Sequence, residues 1–481
     1  VLFTLALRVP FLTRPLMPDE AGLLIIAQNW SEGRFLYGDY FVGRGILLVL
    51  FFVLADTLGG ELGVRLLACL VAAGMVVAAG WAGHQLRGRA GAGWAALVAA
   101  SYSSTYAFSS EVMNGRLLAA ALVMAACATT LSAVRQRSST RAVLAGVLAS
   151  APLLVVQSYA DGLLFAGVVL LGSALTRTLP AAGAARLALA GLTGMVLTAA
   201  AVALGVATTW LTMSQLWFQL VGARLAAAQV VGEGTDMPRE RMVMMAVVAA
   251  LTGIYLVLGA LLTGLREVRR WPDLRVVWVA VLAMLSLTAV SMAAGGDWWP
   301  DYVLQGIPAL ALSAALVAPS WTLSGVVMRL GAGIAAVAAI AAIYMGLEQP
   351  ELGTPTNEAA VGRWLAAGAE PQDTGLVLWG KANVLHHAGM TTPYPYMWSL
   401  LTRTLDPELE EMLATLRGPD APTWVVRWHD SDAWGLDDSG WLTDVLDERY
   451  VEVGEPCGVE VYLLRSESRE VPATEDCGRL D

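Results

Sequence analysis

Apolar runs long enough to cross a bilayer follow one another through most of this 481-residue chain. A transmembrane helix needs roughly 17–25 mainly apolar residues. Runs of about that length fall at 63–83, 91–109, 115–134, 142–157, 162–178, 187–209, 242–265, 276–294, 303–318 and 326–346. The opening run, 1–12, is too short to span and no basic region precedes it, so it reads as the last part of a first helix. Together these predict about eleven spans. The loop 13–62 holds two shorter apolar segments, 21–30 and 46–58, each bordered by charges, which predict helices lying at the membrane interface.

Beyond 346 the pattern changes. Runs at 375–379, 423–428, 450–453 and 459–464 read as buried strands, and 358–369, 407–417 and 441–448 read as helices. The expected architecture is a polytopic α-helical membrane domain, 1–346, followed by a small α/β domain, 347–481.

Composition agrees. The chain is 57% hydrophobic and 15% charged, against about 25% charged in soluble domains. From 347 onward there are 25 acidic and 9 basic residues, against 15 and 21 before it. So acidic a tail disfavours nucleic acid as a partner. Every second loop is basic: Arg87 and Arg89; Arg135, Arg137 and Arg141; Arg177 and Arg186; Arg266, Arg269, Arg270 and Arg275. The positive-inside rule makes these cytoplasmic and puts the intervening loops and the tail outside. Cys69 and Cys127 lie in apolar runs, whereas an oxidising exterior would let Cys457 and Cys477 pair.

The unusual polar residues gather on the predicted outer side. Asp19 and Glu20 stand at a membrane boundary, where carboxylates are expensive. A carboxylate there can take a proton from an acceptor hydroxyl; the structural alternative has Asp19 capping the helix after Pro18, with Glu20 in its first turn. Glu111 is a second candidate carboxylate. Arg44, Arg116 and Arg224 are candidates for a phosphate, which the planar guanidinium fork suits, though each also fits a snorkelling or helix-covering role. The turn from Gly295 to Tyr302 offers Asp297 and Tyr302 on the acceptor or supporting side, and Lys381, the only lysine, is a further candidate. There is no Walker-type loop, nucleophile elbow or paired CxxC, and the adjacent His386 and His387 lack helical zinc spacing.

Four segments resemble the GT-C superfamily of polytopic glycosyltransferases, which includes the lipid A aminoarabinose transferases and protein O-mannosyltransferases. They are Arg8-Val9-Pro10 leading to Pro18-Asp19-Glu20-Ala21 and Tyr37-Gly38-Asp39; Gly63-Val64-Arg65-Leu66; Glu111 to Arg116; and Gly295 to Tyr302 with Ile307-Pro308-Ala309-Leu310. Where members often carry a proline pair, this chain has Gly43-Arg44-Gly45. The resemblance implies a sugar donor carried on a polyprenyl phosphate and an acidic residue of the first outer loop, here Asp19, as general base. It also implies a glycan, lipid or protein acceptor on the outer face of a plasma membrane. A divalent cation stays open. The rival readings are a transporter or lipid flippase, with carboxylates near the midplane of its spans, and a non-catalytic assembly protein that tolerates replacement of Asp19.

Overall fold

The computed structural model describes residues 1–208, 211–232, 237–295, 298–348 and 356–473. The chain opens with α1 (Leu2–Arg8), two short helices α2 (Pro18–Gln28) and α3 (Ile46–Thr57), then the long α4 (Glu61–Tyr102) and α5 (Arg116–Gln136). Helices α2 and α3 stand where the two interfacial segments were predicted. Helix α4 is two limbs joined at Arg87 and Gly88, whose backbone leaves the helical region (Gly88 φ 61°, ψ −150°). The limbs close tightly because glycines face each other at the bend: a Cβ on Gly83 would lie 2.3 Å from the Gly91 carbonyl oxygen. Predicted span 63–83 lies in the first limb, and predicted span 91–109 starts in the second limb but overruns its end at Tyr102.

Among the described residues six helices are long and apolar enough to cross a membrane, or seven if Arg239–Leu251 and Ile254–Thr263, bent by 69°, form one span. Apolar helices of 10–17 residues fill the predicted positions at 1–12, 142–157 and 162–178, so the count of about eleven is not reached on length. Lipid exposure explains the composition. On the helix Ala181–Ala207, Leu189, Leu192, Val196, Leu197 and Leu204 are all exposed, and such a stripe is stable only against hydrocarbon.

The polar loops sort to the two ends of the bundle. Arg135 donates to the Gln85 carbonyl (2.7 Å) and Arg186 to the Arg137 carbonyl (2.8 Å), so the basic turns around 87, 137 and 186 meet. At the opposite end, Glu61, the 103–116 connection and α2 come together with the tail.

The tail carries a four-stranded sheet of β1 (Gly375–Val377), β2 (Trp424–Arg427), β3 (Tyr450–Gly454) and β4 (Glu460–Leu464), in the order β1-β2-β4-β3. Strands β1 and β2 are parallel, the other pairs antiparallel, with Leu376 opposite Val425 and Val425 opposite Tyr462. Side chains alternate across it. Val377, Trp424, Val426, Val461 and Leu463 join the core shared with the helices, while Leu376 and Val425 enter a second core. That second core also takes Phe35 and Phe41 from the first loop, so both cores cross the predicted boundary at 346. The helices Ala382–Ala388 and Ser399–Leu405 were not expected from the sequence. Cys69 and Cys127 are buried free thiols; Cys477 lies outside the described residues.

Candidate functional site

Helix α2 sets the site. Pro18 occupies its first position, which suits a residue without an N–H. Glu20, at the third position, reaches back to accept the Met17 N–H at 3.0 Å. The helix is therefore closed by Glu20, not by Asp19, which stands in the first turn with its side chain free for other partners. The capping alternative for Asp19 is not what the backbone uses.

The two adjacent carboxylates point apart, as residues about 100° apart on a helix must. Glu20 is fully buried: Oε1 accepts from Arg65 Nη1 (2.7 Å) and the Met113 N–H (2.7 Å). Arg65 also donates to the carbonyls of Pro15 (2.9 Å) and Glu111 (3.3 Å). Buried Arg8 donates to the carbonyls of Ser103 and Ser110 (both 2.8 Å) and Glu111 (3.4 Å). Glu20, expected beside Asp19 as a catalytic candidate that orients it or the acceptor, is thus corrected: its carboxylate is consumed in fastening α2 to α4 and to the 103–116 connection. Glu111 belongs to this same internal network. Its carbonyl takes both arginines, while its carboxyl Oε2 is buried without a hydrogen-bond partner. Burial pushes that carboxyl up to about 7.

Asp19 is 41% exposed at its side chain and faces the other way. Its Oδ1 accepts from Trp398 Nε1 at 3.0 Å, and its Oδ2 lies 3.8 Å from Arg44 Nη2. Arg44 leads a cluster. Arg116 Nε pairs with Asp301 Oδ2 at 2.8 Å, its guanidinium lies 3.9 Å over the Tyr302 ring, and Asn114 also donates to Asp301. Arg224 Nε donates to the Gly43 carbonyl at 3.0 Å. Burial first, then repulsion from Arg44 and Arg116, pushes the Arg224 guanidinium down to about 9. A guanidinium stays charged in proteins, so three cations crowd one another here, Arg224 at the solvent-facing rim and Arg44 and Arg116 behind it. Burial and Arg116 likewise lower Arg44, with Asp19 opposing. Arg44 Nη1 is buried with no hydrogen-bond partner.

The Gly43-Arg44-Gly45 turn holds Arg44 there by close backbone approach. A Cβ on Gly45 would lie 2.1 Å from the Leu154 carbonyl oxygen, whereas one on Gly43 would make only ordinary contact with the Gln219 carbonyl at 3.4 Å. Glycine at 45, not proline, lets the loop lie close against Leu154. The Tyr37 hydroxyl donates to the Arg44 carbonyl (2.8 Å), and the Leu36 N–H donates to Gln219 Oε1 (3.0 Å).

The structure thus brings together Asp19, Arg44, Arg116, Arg224 and Tyr302 of the residues expected from the sequence, and sets Glu20 and Glu111 behind them. Lys381 is elsewhere: its amine pairs with Glu358 (2.6 Å) and lies 5.2 Å over the Trp428 ring. Asp297 lies outside the described residues. Asp301 and Trp398 were missed. Asp301 adjoins Tyr302, a signal that was available; Trp398 sits 379 residues from its partner in a tail segment without a local motif. Among the described residues no group of three or more His, Cys, Asp or Glu side chains is arranged to hold a metal ion.

At the level of sequence, no family model matches the chain and no curated protein is significantly similar to it. At the level of structure, similarities to solved proteins cover nearly the whole chain. The crystal structure of ArnT from Cupriavidus metallidurans bound to undecaprenyl phosphate has a TM-score of 0.65 at 17% identity, covering 96% of this chain and 97% of that one. The same protein in the apo state has a TM-score of 0.61 at 14% identity, with the same coverage. The Archaeoglobus fulgidus oligosaccharyltransferase in complex with Zn and sulfate has a TM-score of 0.57 at 15% identity, covering 96% of this chain and 72% of that one. ArnT, the lipid A aminoarabinose transferase, and the oligosaccharyltransferase are both GT-C superfamily members. This chain shares that fold, as the resemblance in its first loop implied.

Proposed function

We propose that the chain is a membrane glycosyltransferase of the GT-C type, moving a sugar from a polyprenyl-phosphate donor to a cell-envelope acceptor on the outer face of the plasma membrane. The observation that carries this reading is the convergence of Arg44, Arg116 and Arg224 beside Asp19 at one end of an apolar helix bundle. Three guanidiniums stand against the two carboxylates Asp19 and Asp301, and Arg44 keeps an unpartnered buried donor. A phosphate relieves both conditions, accepting those donors and offsetting the repulsion. Its lipid tail has apolar helix surface to lie along.

The chemistry follows from the positions. The acceptor hydroxyl gives its proton to the Asp19 carboxylate, and its oxygen forms the new bond to the anomeric carbon. The bond from that carbon to the phosphate oxygen breaks, and the polyprenyl phosphate leaves with the electron pair. The arginines take up the charge that develops on the leaving phosphate, the term that electrostatic preorganisation serves best. The ArnT structure holds undecaprenyl phosphate, which supports a donor of that class.

The binding half is testable without turnover. Undecaprenyl phosphate is expected to bind the purified protein, and Arg224→Ala to weaken its Kd by roughly 10–100-fold, the worth of a hydrogen bond to a charged group. Uncharged undecaprenol should bind both proteins alike. Equal affinity of wild type and Arg224→Ala for the phosphate would remove the arginine cluster from the reading.

Orientation is testable separately. The basic end of the bundle is read as cytoplasmic, so the site and the tail face outward. Single cysteines at the exposed positions Ser214 and Ser439, in a cysteine-free version, should react with an impermeant thiol reagent in intact cells. Labelling only after lysis would reverse the orientation.

A further inference from the structure

Asp19 does not stand alone at its end of the bundle: the tail reaches it. We infer that Trp398, which belongs to the tail and not to the helix bundle, is a positioning residue for the Asp19 carboxylate, so that the proposed active centre is complete only when the tail is docked. The inference rests on Asp19 being the base.

Trp398 Nε1 donates to Asp19 Oδ1 at 3.0 Å, while the only ion-pair partner of Asp19 among the described residues, Arg44, touches Oδ2 at 3.8 Å. One oxygen is therefore held and the other is turned toward the arginines, the arrangement a proton acceptor beside a bound phosphate needs. The indole is itself fixed. It packs against α2 at Gly22, three residues after Asp19, where a Cβ would come within 2.5 Å of Cζ2 and 3.0 Å of Cη2. Only glycine at 22 lets the ring sit that close. The Trp398 carbonyl accepts the Leu401 (2.9 Å) and Thr402 (3.2 Å) N–H groups at the start of the following helix, Ser399–Leu405.

The same tail segment grips the first loop at two more points. The Phe41 N–H donates to the Pro395 carbonyl at 3.1 Å, and the Thr392 N–H donates to the Tyr40 hydroxyl at 3.4 Å. Phe41 is three residues from Arg44. Segment 392–398 therefore fixes the loop that carries Arg44 and, through Trp398, the carboxylate beside it. An aspartate without that N–H rotates about its terminal torsion, which is broad and roughly two-fold, and spends less time aligned with an acceptor hydroxyl. Misalignment of this kind lowers the rate of the chemical step rather than the affinity for the lipid donor.

The test uses the full-length protein in detergent and radiolabelled undecaprenyl-phosphate-linked hexose, aminosugar and pentose donors, continuing with the one the wild type turns over. Trp398→Phe keeps a ring against Gly22 and removes the N–H. It is expected to lower kcat about tenfold with the donor KM within about twofold. Gly22→Ala leaves the N–H but pushes the ring away, and a similar fall in kcat is expected. In an Asp19→Asn background, Trp398→Phe should cause no further fall, because the group it positions no longer accepts a proton. Wild-type kcat in Trp398→Phe while Asp19→Asn is inactive overturns the positioning role alone. A tenfold fall that persists in the Asp19→Asn background means a packing role and overturns it too. Normal turnover in Asp19→Asn, or no turnover of any donor by the wild type, overturns the reading of the site on which the inference rests.

Discussion

Asp19→Asn is expected to fold like the wild type and to turn over about 10²–10⁴-fold more slowly, the usual worth of a general base. The structure removes the ordinary objection that such a change damages the helix. Asp19 is not the cap of α2; the Met17 N–H is taken by Glu20. Asn keeps an oxygen for the Trp398 N–H. The ion pair lost is a single 3.8 Å contact to Arg44 from a side chain 41% exposed, a class of pair that contributes roughly 0–1 kcal/mol. The charge change also has a sign that separates the roles. Removing a carboxylate from beside three guanidiniums makes the site more positive, so undecaprenyl phosphate should bind at least as tightly as before. A variant that loses turnover while keeping or gaining phosphate affinity identifies a base. A variant that loses both was holding the site together. A folded Asp19→Asn protein with full turnover would make the catalytic assignment wrong.

The parts of the site that were legible in the sequence are those whose cost is visible locally. Carboxylates and arginines bordering apolar runs are expensive wherever the chain places them, so Asp19, Arg44, Arg116 and Arg224 stood out before their contacts were known. Their partners were less visible. Asp301 follows Pro300, where an acid reads as a first-turn residue, and Asp297 earlier in the same turn drew attention from it. Trp398 is one of 17 tryptophans, and nothing near it in the chain distinguishes it from a core or interfacial aromatic. The fold behaved similarly. The hairpin in α4 was legible because basic residues interrupt the apolar run, and the sheet because short apolar runs mark its strands. The short helices Ala382–Ala388 and Ser399–Leu405 were not, since 7 residues carry too little periodicity to read. Nor was the sharing of Phe35 and Phe41 with the tail core, because burial against a distant segment leaves no trace in local pattern.

The difference between Asp19 and Glu20 is the sharpest case, because adjacent acids give the same sequence signal and helix geometry alone separates them. Glu20→Gln is therefore expected to act on stability rather than on chemistry. The carboxylate is fully buried against Arg65, itself 5% exposed at its side chain, and accepts the Met17 and Met113 N–H groups as well. Glutamine has one acceptor oxygen where glutamate has two, so its amide must turn a donor toward Arg65 or toward the Met17 N–H. Arg65 is then left as a buried cation without its counter-charge, and breaking a buried pair in this way costs about 3–5 kcal/mol. For a chain of this size that corresponds to a fall in Tm of roughly 3–5 °C, with lower yield from membranes. The molecules that remain folded should turn over within a few-fold of wild type, since Glu20 does not face the arginine cluster. The measurement is Tm and kcat on the same preparation. A Glu20→Gln protein with wild-type Tm and a kcat lower by two orders of magnitude would return Glu20 to the chemistry and make the internal network around Arg65 incidental.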